Sequence, residues 1–386
     1  MTARPLAGLR VLDLSRVFAG PVAGRILSDL GADVVKVEPP DEDLSRVFGL
    51  RSGGMTAYFM QQNAGKRNVC VDLNHPEGPS IVAELAAVAD VVIENFRPRV
   101  LASFGLDWPA LSGRNPRLVM VSITGFGQNG PESERAAFAS IAHAEMGLIA
   151  RGPELGVGGL HDLTFSAADV LSGLHAVIGL LAALRSRDIT GAGQHLDLAM
   201  LDAVGFSDDA VVYNLDGIPA TGLNGEVWDA VGGPICLAGG FKWVWHQLHD
   251  VIGVADPSPL DADVATKIRL RRETTSALFR SMPDRSTLIA MLEKAKLAWG
   301  NVRHGADVFE SPTLQARNSV VTIDDRNGGT RPIFQSPYRY SDMASGVTGP
   351  ARHLGEDNVS VLTEWLGLAT GDGRLQSGAL RTRLPK

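Results

Sequence analysis

The sequence is poor in cysteine, has no excess of positive charge and lacks long apolar runs. Its two cysteines, Cys70 and Cys236, lie far apart and match no metal-ligand spacing, so we expect reduced thiols in a cytoplasmic protein. Lys and Arg total 36 against 43 Asp and Glu, so nucleic-acid binding is not expected. No uncharged apolar run reaches the roughly 18 residues of a membrane span. The N-terminal segment lacks the apolar core of a signal peptide.

The sequence does contain ample apolar material for a large core. Hydrophobic residues make up 45% of its 386 residues and charged residues 20%, which excludes wholesale disorder. At roughly 100–200 residues per domain, this length predicts two domains, or one large domain with an insertion.

The first half of the chain alternates β-branched runs with amphipathic stretches, which predicts a parallel sheet covered by helices. The predicted strands are Leu9–Leu14, Val34–Glu38, Asn68–Leu73, Val91–Asn95, Leu118–Ile123 and His195–Met200. The predicted helices are Gly20–Gly31, one opened by Pro76, Phe138–Leu148, Ser166–Arg187, Asp261–Ser281, Ser286–Leu297 and Val359–Leu366. A change in the sequence pattern after about residue 215 predicts a large domain over 1–215 and a small domain over 220–330. It also predicts a tail over 331–386 that returns to the large domain.

The turn after the first predicted strand is a candidate anion site, because N–H groups at a helix start can bind anions. It carries only Gly20 and Gly24, so it lacks the G-x-G-x-x-G spacing of a dinucleotide fingerprint. Glu38, at the end of the second strand, has the position of a ribose-binding acid. Two interpretations stay open: a tightly packed turn, or a contact with the phosphates of a nucleotide or of CoA.

Several cations stand at strand or loop ends, where an open parallel sheet binds its ligands. They are Lys66, Arg67, Arg97 and Arg99. They are either phosphate-binding groups or ordinary solvated charges. The nine histidines contain no metal-ligand set, so no metal site is expected.

Asp169 stands at the start of the longest periodic apolar stretch, and two interpretations of it are open. Ser166 and Asp169 have the spacing of a capping box, in which Asp169 would only satisfy the helix N-terminus. Alternatively, Asp169 is a carboxylate nucleophile that forms an acyl-aspartate intermediate.

Taken together, these segments resemble the class III CoA-transferases, the family of formyl-CoA and carnitine CoA-transferases, whose superfamily also holds the α-methylacyl-CoA racemases. The matching runs include LRVLDLSRVFAGPVAGRILSDLGADVVKVE, NAGKRNVCVDLNHP, VIENFRP, GFGQNGP and SAADVLSGLHAVIGLLAAL. The resemblance implies an α/β fold with a doubly wound parallel-sheet large domain, built from the N-terminal half and the C-terminal tail. It also implies a smaller α+β domain and an interlocked homodimer.

The resemblance implies site residues as well. The family's catalytic aspartate falls on Asp169. Its CoA contacts fall on Val17, Phe18, Ala19, Asp72, Leu73, Asn74, His75, Asn95, Phe96 and Arg97. Three cations of the family are replaced here, by Pro39, Ser103 and Ala136, so the CoA phosphates need other partners. The candidates are Arg46, Arg51, Arg67, Arg97 and Arg135.

The implied reaction moves CoA from an acyl-CoA to a carboxylic acid acceptor. Asp169 would carry first the acyl group, as a mixed anhydride, and then CoA, as a thioester. Backbone N–H groups must stabilise the oxyanion, and Gly232–Gly233 or Gly239–Gly240 could supply them. CoA is a substrate in this reaction, and no permanently bound cofactor is expected. The sequence identifies neither the donor nor the acceptor.

Three alternatives are weaker. An α-methylacyl-CoA racemase needs a histidine where this sequence has Phe138, and His143 lies five residues further on. A nicotinamide-dependent oxidoreductase is disfavoured by the missing glycine fingerprint. A non-catalytic CoA-binding homologue is disfavoured by Asp169 and its surrounding run.

Overall fold

The computed structural model describes residues 3–156, 158–217, 225–369 and 371–383. By their contacts they form two compact units, a larger one of Met1–Val211 with Leu314–Lys386 and a smaller one of Val212–Thr313. The described strands are β1 (Arg10–Asp13), β2 (Asp33–Glu38), β3 (Arg51–Ser52), β4 (Met55–Thr56), β5 (Arg67–Cys70), β6 (Val91–Glu94), β7 (Val119–Thr124), β8 (Gln194–Ala199), β9 (Gly225–Trp228), β10 (Ile235–Ala238), β11 (Trp299–Asn301), β12 (Val320–Asp324) and β13 (Thr330–Phe334). The described α-helices are α1 (Ala19–Asp29), α2 (Ala57–Asn63), α3 (Gly78–Ala87), α4 (Trp108–Arg114), α5 (Ala139–Glu145), α6 (Leu148–Glu154), α7 (Ala167–Thr190), α8 (Met200–Ser207), α9 (Val211–Leu215), α10 (Phe241–Gln247), α11 (Val264–Ser281), α12 (Arg285–Lys294), α13 (Pro312–Ala316) and α14 (Asn358–Leu366).

Six strands of the larger unit form one parallel sheet in the order β5-β2-β1-β6-β7-β8. The predicted α/β fold with a parallel sheet is therefore confirmed. The strand order reverses between β1 and β6. From β1 the chain continues to β2 and β5 on one side of the sheet, and from β6 it continues to β7 and β8 on the other side. Open parallel sheets bind ligands beyond the carboxyl ends of the strands at such a reversal. The loops after β1 and β6 are thus the expected position of a site.

Helices cover both faces of this sheet, because successive strand residues point to opposite sides. Leu12 and Val92 belong to a core that includes residues of α3, α4 and α14. Val11 and Val91 belong to a second core, with residues of α1, α5, α7 and α8. Since α14 comes from the C-terminal segment, the end of the chain completes a core that the N-terminal strands begin.

Each predicted helix differs from its observed bounds by at least one residue, and two of the differences have a local cause. The helix expected to open at Pro76 begins at Gly78, and Pro79 stands in its first turn instead. The helix expected over Phe138–Leu148 is interrupted at Gly147, whose φ is 74°. A residue with left-handed backbone ends a right-handed helix, so α5 and α6 are separate.

The long helix α7 packs against α1. A β-carbon at Gly173 would lie 2.7 Å from the carbonyl oxygen of Ala19, so only glycine allows this approach. By length and composition alone, α7 could cross a membrane, and half of its most apolar stretch is buried in the protein. Core helices meet the same two criteria, so this finding does not by itself indicate a membrane span.

The smaller unit has a core of its own. Its strands β9, β10 and β11 form an antiparallel sheet in the order β11-β10-β9. The Trp228 ring contacts the rings of Phe241 and Phe279 at centroid distances of 5.7 and 5.8 Å. Leu288 and Leu292 of α12 join these rings in the same apolar cluster.

Candidate active site

Asp169 lies in the first turn of α7, where the packing against α1 brings a second helix start beside it. The N–H of Ala19, the first residue of α1, favours the ionised form of this carboxyl. Burial raises the pKa of Asp169 to about 6, against the lowering effect of the Ala19 N–H group. The carboxyl group is thus partly desolvated and is ionised at neutral pH.

The capping-box interpretation of Asp169 is not borne out by the hydrogen bonds at the start of α7. Ser166 occupies the N-cap position but forms no capping hydrogen bond with its side chain. The N–H of Ala168 donates instead to Nε2 of buried His143, at 3.1 Å. Nδ1 of His143 lies 2.7 Å from Oδ1 of Asp162. Because Nε2 accepts, the ring proton is on Nδ1 and the imidazole is neutral in this arrangement.

These contacts also bear on the racemase alternative. Phe138, at the position of the racemase histidine, is 57% exposed and cannot transfer a proton. Both ring nitrogens of His143 are already occupied by Ala168 and Asp162. Neither residue is arranged to exchange an α-proton.

Three adjoining cavities of the larger unit run along the sheet edge to Asp169. The Asp72 cavity, of about 460 Å³, has Leu14, Arg16, Pro39, Asp72, Leu73, Asn74 and Phe96 among its lining residues. The Asn95 cavity, of about 250 Å³, has Arg16, Val17, Ala19, Asn95, Phe96, Arg97, Thr124, Arg135, Ala136, Phe138 and Asp169. The Tyr58 cavity, of about 420 Å³, has Val17, Phe48, Tyr58, Phe138, Ser140, His143, Asp162, Leu163, Phe165 and Asp169. Asp169 therefore borders two cavities, and the shared residues join all three.

Most residues that the resemblance implied for CoA line these cavities. Asp72, Leu73 and Asn74 line the Asp72 cavity, and Val17, Ala19, Asn95, Phe96 and Arg97 line the Asn95 cavity. Phe18 and His75 do not line them. The Phe18 ring packs on Tyr58, with a centroid distance of 5.4 Å. His75 accepts a hydrogen bond from the N–H of Glu77 through Nδ1.

The turn between β1 and α1 is held in a strained conformation. Val17 has a φ of 67°, a left-handed value that is rare for a β-branched residue. Its N–H donates to the Asp43 carboxylate at 3.1 Å. The Asn95 side chain accepts from the N–H of Arg16 and donates to its carbonyl oxygen, both at 2.8 Å. Asp43 and Asn95 thus hold the segment that borders Asp169.

Two buried ion pairs stabilise the residues that hold this turn in place. Lys36 lies 2.9 Å from Asp43, and Lys66 lies 2.7 Å from Asp13. All four side chains are fully or almost fully buried. Burial lowers the pKa of Lys66 to about 8, although the Asp13 charge opposes that change. Lys66 is therefore part of the scaffold and not a solvated or phosphate-binding cation.

Several candidate phosphate ligands are engaged in ion pairs. Arg46 is buried and forms two hydrogen bonds with Glu38, at 2.7 and 2.9 Å, so Glu38 is not a free ribose-binding acid. Arg67 pairs with Asp33 and Glu364. Arg135 reaches the Asn95 cavity but pairs with Glu132 and Glu145. Arg51 lies 3.8 Å from Glu42.

Of the three replaced family positions, Pro39 and Ala136 line cavities. The Ser103 hydroxyl instead donates a hydrogen bond to the Val100 carbonyl.

Arg16 was missed by the sequence reasoning. It lines both the Asp72 and the Asn95 cavities, and its guanidinium lies 5.1 Å from the centroid of the Phe96 ring. Its Nε is buried, and no described residue offers that atom a hydrogen-bond acceptor. In the sequence, Arg16 could have been recognised as a cation in the turn directly after the first predicted strand.

The site combines a partly desolvated carboxylate, open cavities on two sides and a cation, Arg16, whose Nε has no acceptor among the described residues. A carboxylate with a raised pKa that is still ionised at neutral pH suits nucleophilic catalysis. Within the described ranges, no three His, Cys, Asp or Glu side chains are grouped as a metal site would require.

The comparisons with known proteins agree with this geometry. The chain matches the model of CoA-transferase family III over residues 6–358, and it belongs to that family. It is 33% identical to the succinate–glutarate CoA-transferase of Agrobacterium fabrum, over 93% of this chain and 95% of that one. It is also 33% identical to the beta subunit of succinyl-CoA–L-malate CoA-transferase from Chloroflexus aurantiacus, over 95% of each chain.

Among solved structures, a CaiB/BaiF family protein from Brucella suis superposes with a TM-score of 0.79. The two are 31% identical, with 95% of this chain and 100% of that one covered. The protein is therefore an enzyme of the CoA-transferase class, as the resemblance in its sequence implied.

Proposed function

We propose that the enzyme transfers CoA from an acyl-CoA thioester to a carboxylic acid through covalent intermediates on Asp169. The observation that carries this proposal is the position of Asp169, partly buried between two cavities with a pKa of about 6. At neutral pH the carboxylate is ionised and incompletely solvated, which favours its attack on a thioester carbonyl.

CoA fits the two cavities on one side of Asp169. The Asp72 cavity lies beyond the carboxyl ends of β1, β2 and β5, where nucleotides bind to open parallel sheets. The Asn95 cavity leads from there to Asp169 and would receive the pantetheine arm. Arg16, between the two, has an unsatisfied buried donor that polar groups of CoA would satisfy.

The reaction then follows in balanced steps. Asp169 attacks the donor thioester, its C–S bond breaks, and an acyl-aspartyl anhydride and a CoA thiolate result. The thiolate attacks the aspartyl carbonyl, which releases the donor acid and leaves an aspartyl-CoA thioester. The acceptor carboxylate attacks that thioester, and the thiolate then takes the acceptor acyl group from the new anhydride. Asp169 is regenerated, and splitting the exchange in this way lowers each barrier.

We also propose that the chain is divided into domains over 1–215, 220–330 and 331–386. We propose a cytoplasmic location as well, which the two free thiols of Cys70 and Cys236 support.

We propose further that two chains form the interlocked homodimer of the resemblance. Leu174, Ile178 and Leu181 recur at helical spacing on α7, yet they are 38%, 63% and 37% exposed. An exposed apolar stripe on a core helix supports a contact with another protein surface. Sedimentation should give about twice the chain mass of 41.0 kDa, whereas a fully active monomer would refute the dimer.

An exchange assay tests the function itself. Purified enzyme is incubated with an acyl-CoA donor and an unrelated carboxylic acid, and new acyl-CoA is measured by mass spectrometry. The dicarboxylates named for the two relatives provide the first donor and acceptor panel. Asp169→Asn should still bind CoA but lose turnover by orders of magnitude, while a fully active variant would refute the proposal.

A further inference from the structure

Of the predicted CoA contacts, Val17 alone lines the Tyr58 cavity, so CoA placed on the other contacts leaves most of this cavity unfilled. If CoA lies along the Asp72 and Asn95 cavities, as the proposed function requires, its thioester reaches Asp169 from that side. The acyl group must then extend into the space on the other side of Asp169. The Tyr58 cavity occupies that side, and its volume of about 420 Å³ is in the range of small-molecule sites.

The walls of this cavity are mainly apolar. Its larger lining side chains are Phe48, Tyr58, Phe138, Leu163 and Phe165. Phe48, Phe138 and Phe165 are 45%, 57% and 60% exposed, although phenylalanine is usually buried in a folded domain. Exposed rings grouped around one cavity are typical of a surface that binds an apolar group.

The charge of the cavity is negative. None of the described residues that line it is a lysine or an arginine, whereas two carboxylates, Asp162 and Asp169, border it. The one histidine, His143, accepts the Ala168 N–H through Nε2 and therefore supplies no positive charge in this arrangement. The cations of the cleft, Arg16, Arg97 and Arg135, line the Asn95 cavity instead.

We propose that the enzyme acts on monocarboxylic acids with an apolar alkyl or aryl chain, and that it discriminates against dicarboxylates. A second carboxylate in the Tyr58 cavity would face Asp162 without a compensating cation. A methyl or phenyl group in the same place would contact the exposed rings. The exchange is RCO–SCoA + R′COO⁻ → RCOO⁻ + R′CO–SCoA, with R and R′ apolar.

Donor pairs of matched length test this inference. Butyryl-CoA and succinyl-CoA differ in having a methyl or a carboxylate group at the far end of a four-carbon chain. Like-charge contacts cost several kcal/mol, so kcat/KM should be at least about 100-fold higher for butyryl-CoA, with 3-phenylpropanoate as the common acceptor. The same order is expected for butyrate over succinate as acceptors.

The outcomes separate the two proposals. Equal use or preference of succinyl-CoA would overturn the inference and leave the CoA-transfer function standing. Absence of exchange with every donor and acceptor, dicarboxylates included, would refute the proposed function and the inference with it.

A charge introduced into the cavity gives a second test. Ser140 is exposed in the first turn of α5 and lines the cavity. Ser140→Arg should raise the ratio of succinyl-CoA to butyryl-CoA turnover by about tenfold, since one favourable ion pair offsets part of the repulsion. Ser140→Gln, of similar length but neutral, is the matched control and should keep the wild-type ratio. An unchanged ratio in Ser140→Arg would contradict the assignment of this cavity to the acyl group.

Discussion

Replacing Asp169 by asparagine should stabilise the folded protein at alkaline pH even though it removes the nucleophile. The folded protein holds the pKa of this carboxyl at about 6, against an ordinary value of 3.8. At about 1.4 kcal/mol per tenfold change in proton affinity, ionised Asp169 destabilises the native state by about 3 kcal/mol. Asparagine has no charge to bury, and its amide oxygen can accept from the N–H of Ala19.

The sign of this effect depends on pH. At about pH 3 and below, the carboxyl is mostly protonated in both the folded and the unfolded protein, so wild type and variant should have similar stability. Between pH 4 and 6 the unfolded chain ionises first, and wild type loses stability as the pH rises. Above pH 6 the difference should reach its full value of about 3 kcal/mol in favour of Asp169→Asn.

Urea denaturation followed by circular dichroism at pH 4 and pH 8 measures this difference. Asp162→Asn is the control, because that carboxylate is 42% exposed and should not give the same pH-dependent gain. A variant that is less stable than wild type at pH 8 would refute the burial argument. So would a stability difference that is the same at both pH values.

Two further substitutions test the surroundings of Asp169. Arg16→Gln should raise KM for acyl-CoA by about tenfold with a smaller effect on kcat, since hydrogen bonds to charged groups contribute about 1.5–3 kcal/mol, and Arg16→Lys should restore part of the affinity. Unchanged KM in both would exclude a CoA contact. Lys66→Met should cost about 3–5 kcal/mol of unfolding free energy, because it leaves the Asp13 carboxylate buried without its partner. Arg269→Met, which breaks an exposed pair with Glu273, should have little effect, and equal losses in the two variants would contradict this account.

The central strands were predictable because buried parallel strands are nearly continuous apolar runs. The strand predicted over Val34–Glu38 is observed over Asp33–Glu38, and that predicted over Val91–Asn95 is observed over Val91–Glu94. The start of α3 was predicted less well. Pro76 and Pro79 both suit a first helical turn, and local sequence does not distinguish them.

The candidate site was only partly predictable. Asp169 carries a local motif, but the bond from Ala168 to His143 joins residues 25 positions apart, and no local pattern encodes it. The same holds for Arg46, a candidate phosphate ligand in the sequence that is a buried partner of Glu38 in the structure. Such pairings depend on tertiary contacts between side chains, so sequence spacing identified the cations without showing which of them are free.

Trapping the covalent intermediate tests the central claim most directly. Wild-type enzyme is incubated with donor acyl-CoA and hydroxylamine, and its peptides are mapped by mass spectrometry. An anhydride or thioester on a carboxylate reacts with this amine, so a hydroxamate should form at Asp169 and should be missing without donor. A hydroxamate at a different residue, or CoA exchange at the full rate with no modification of Asp169, would contradict the account.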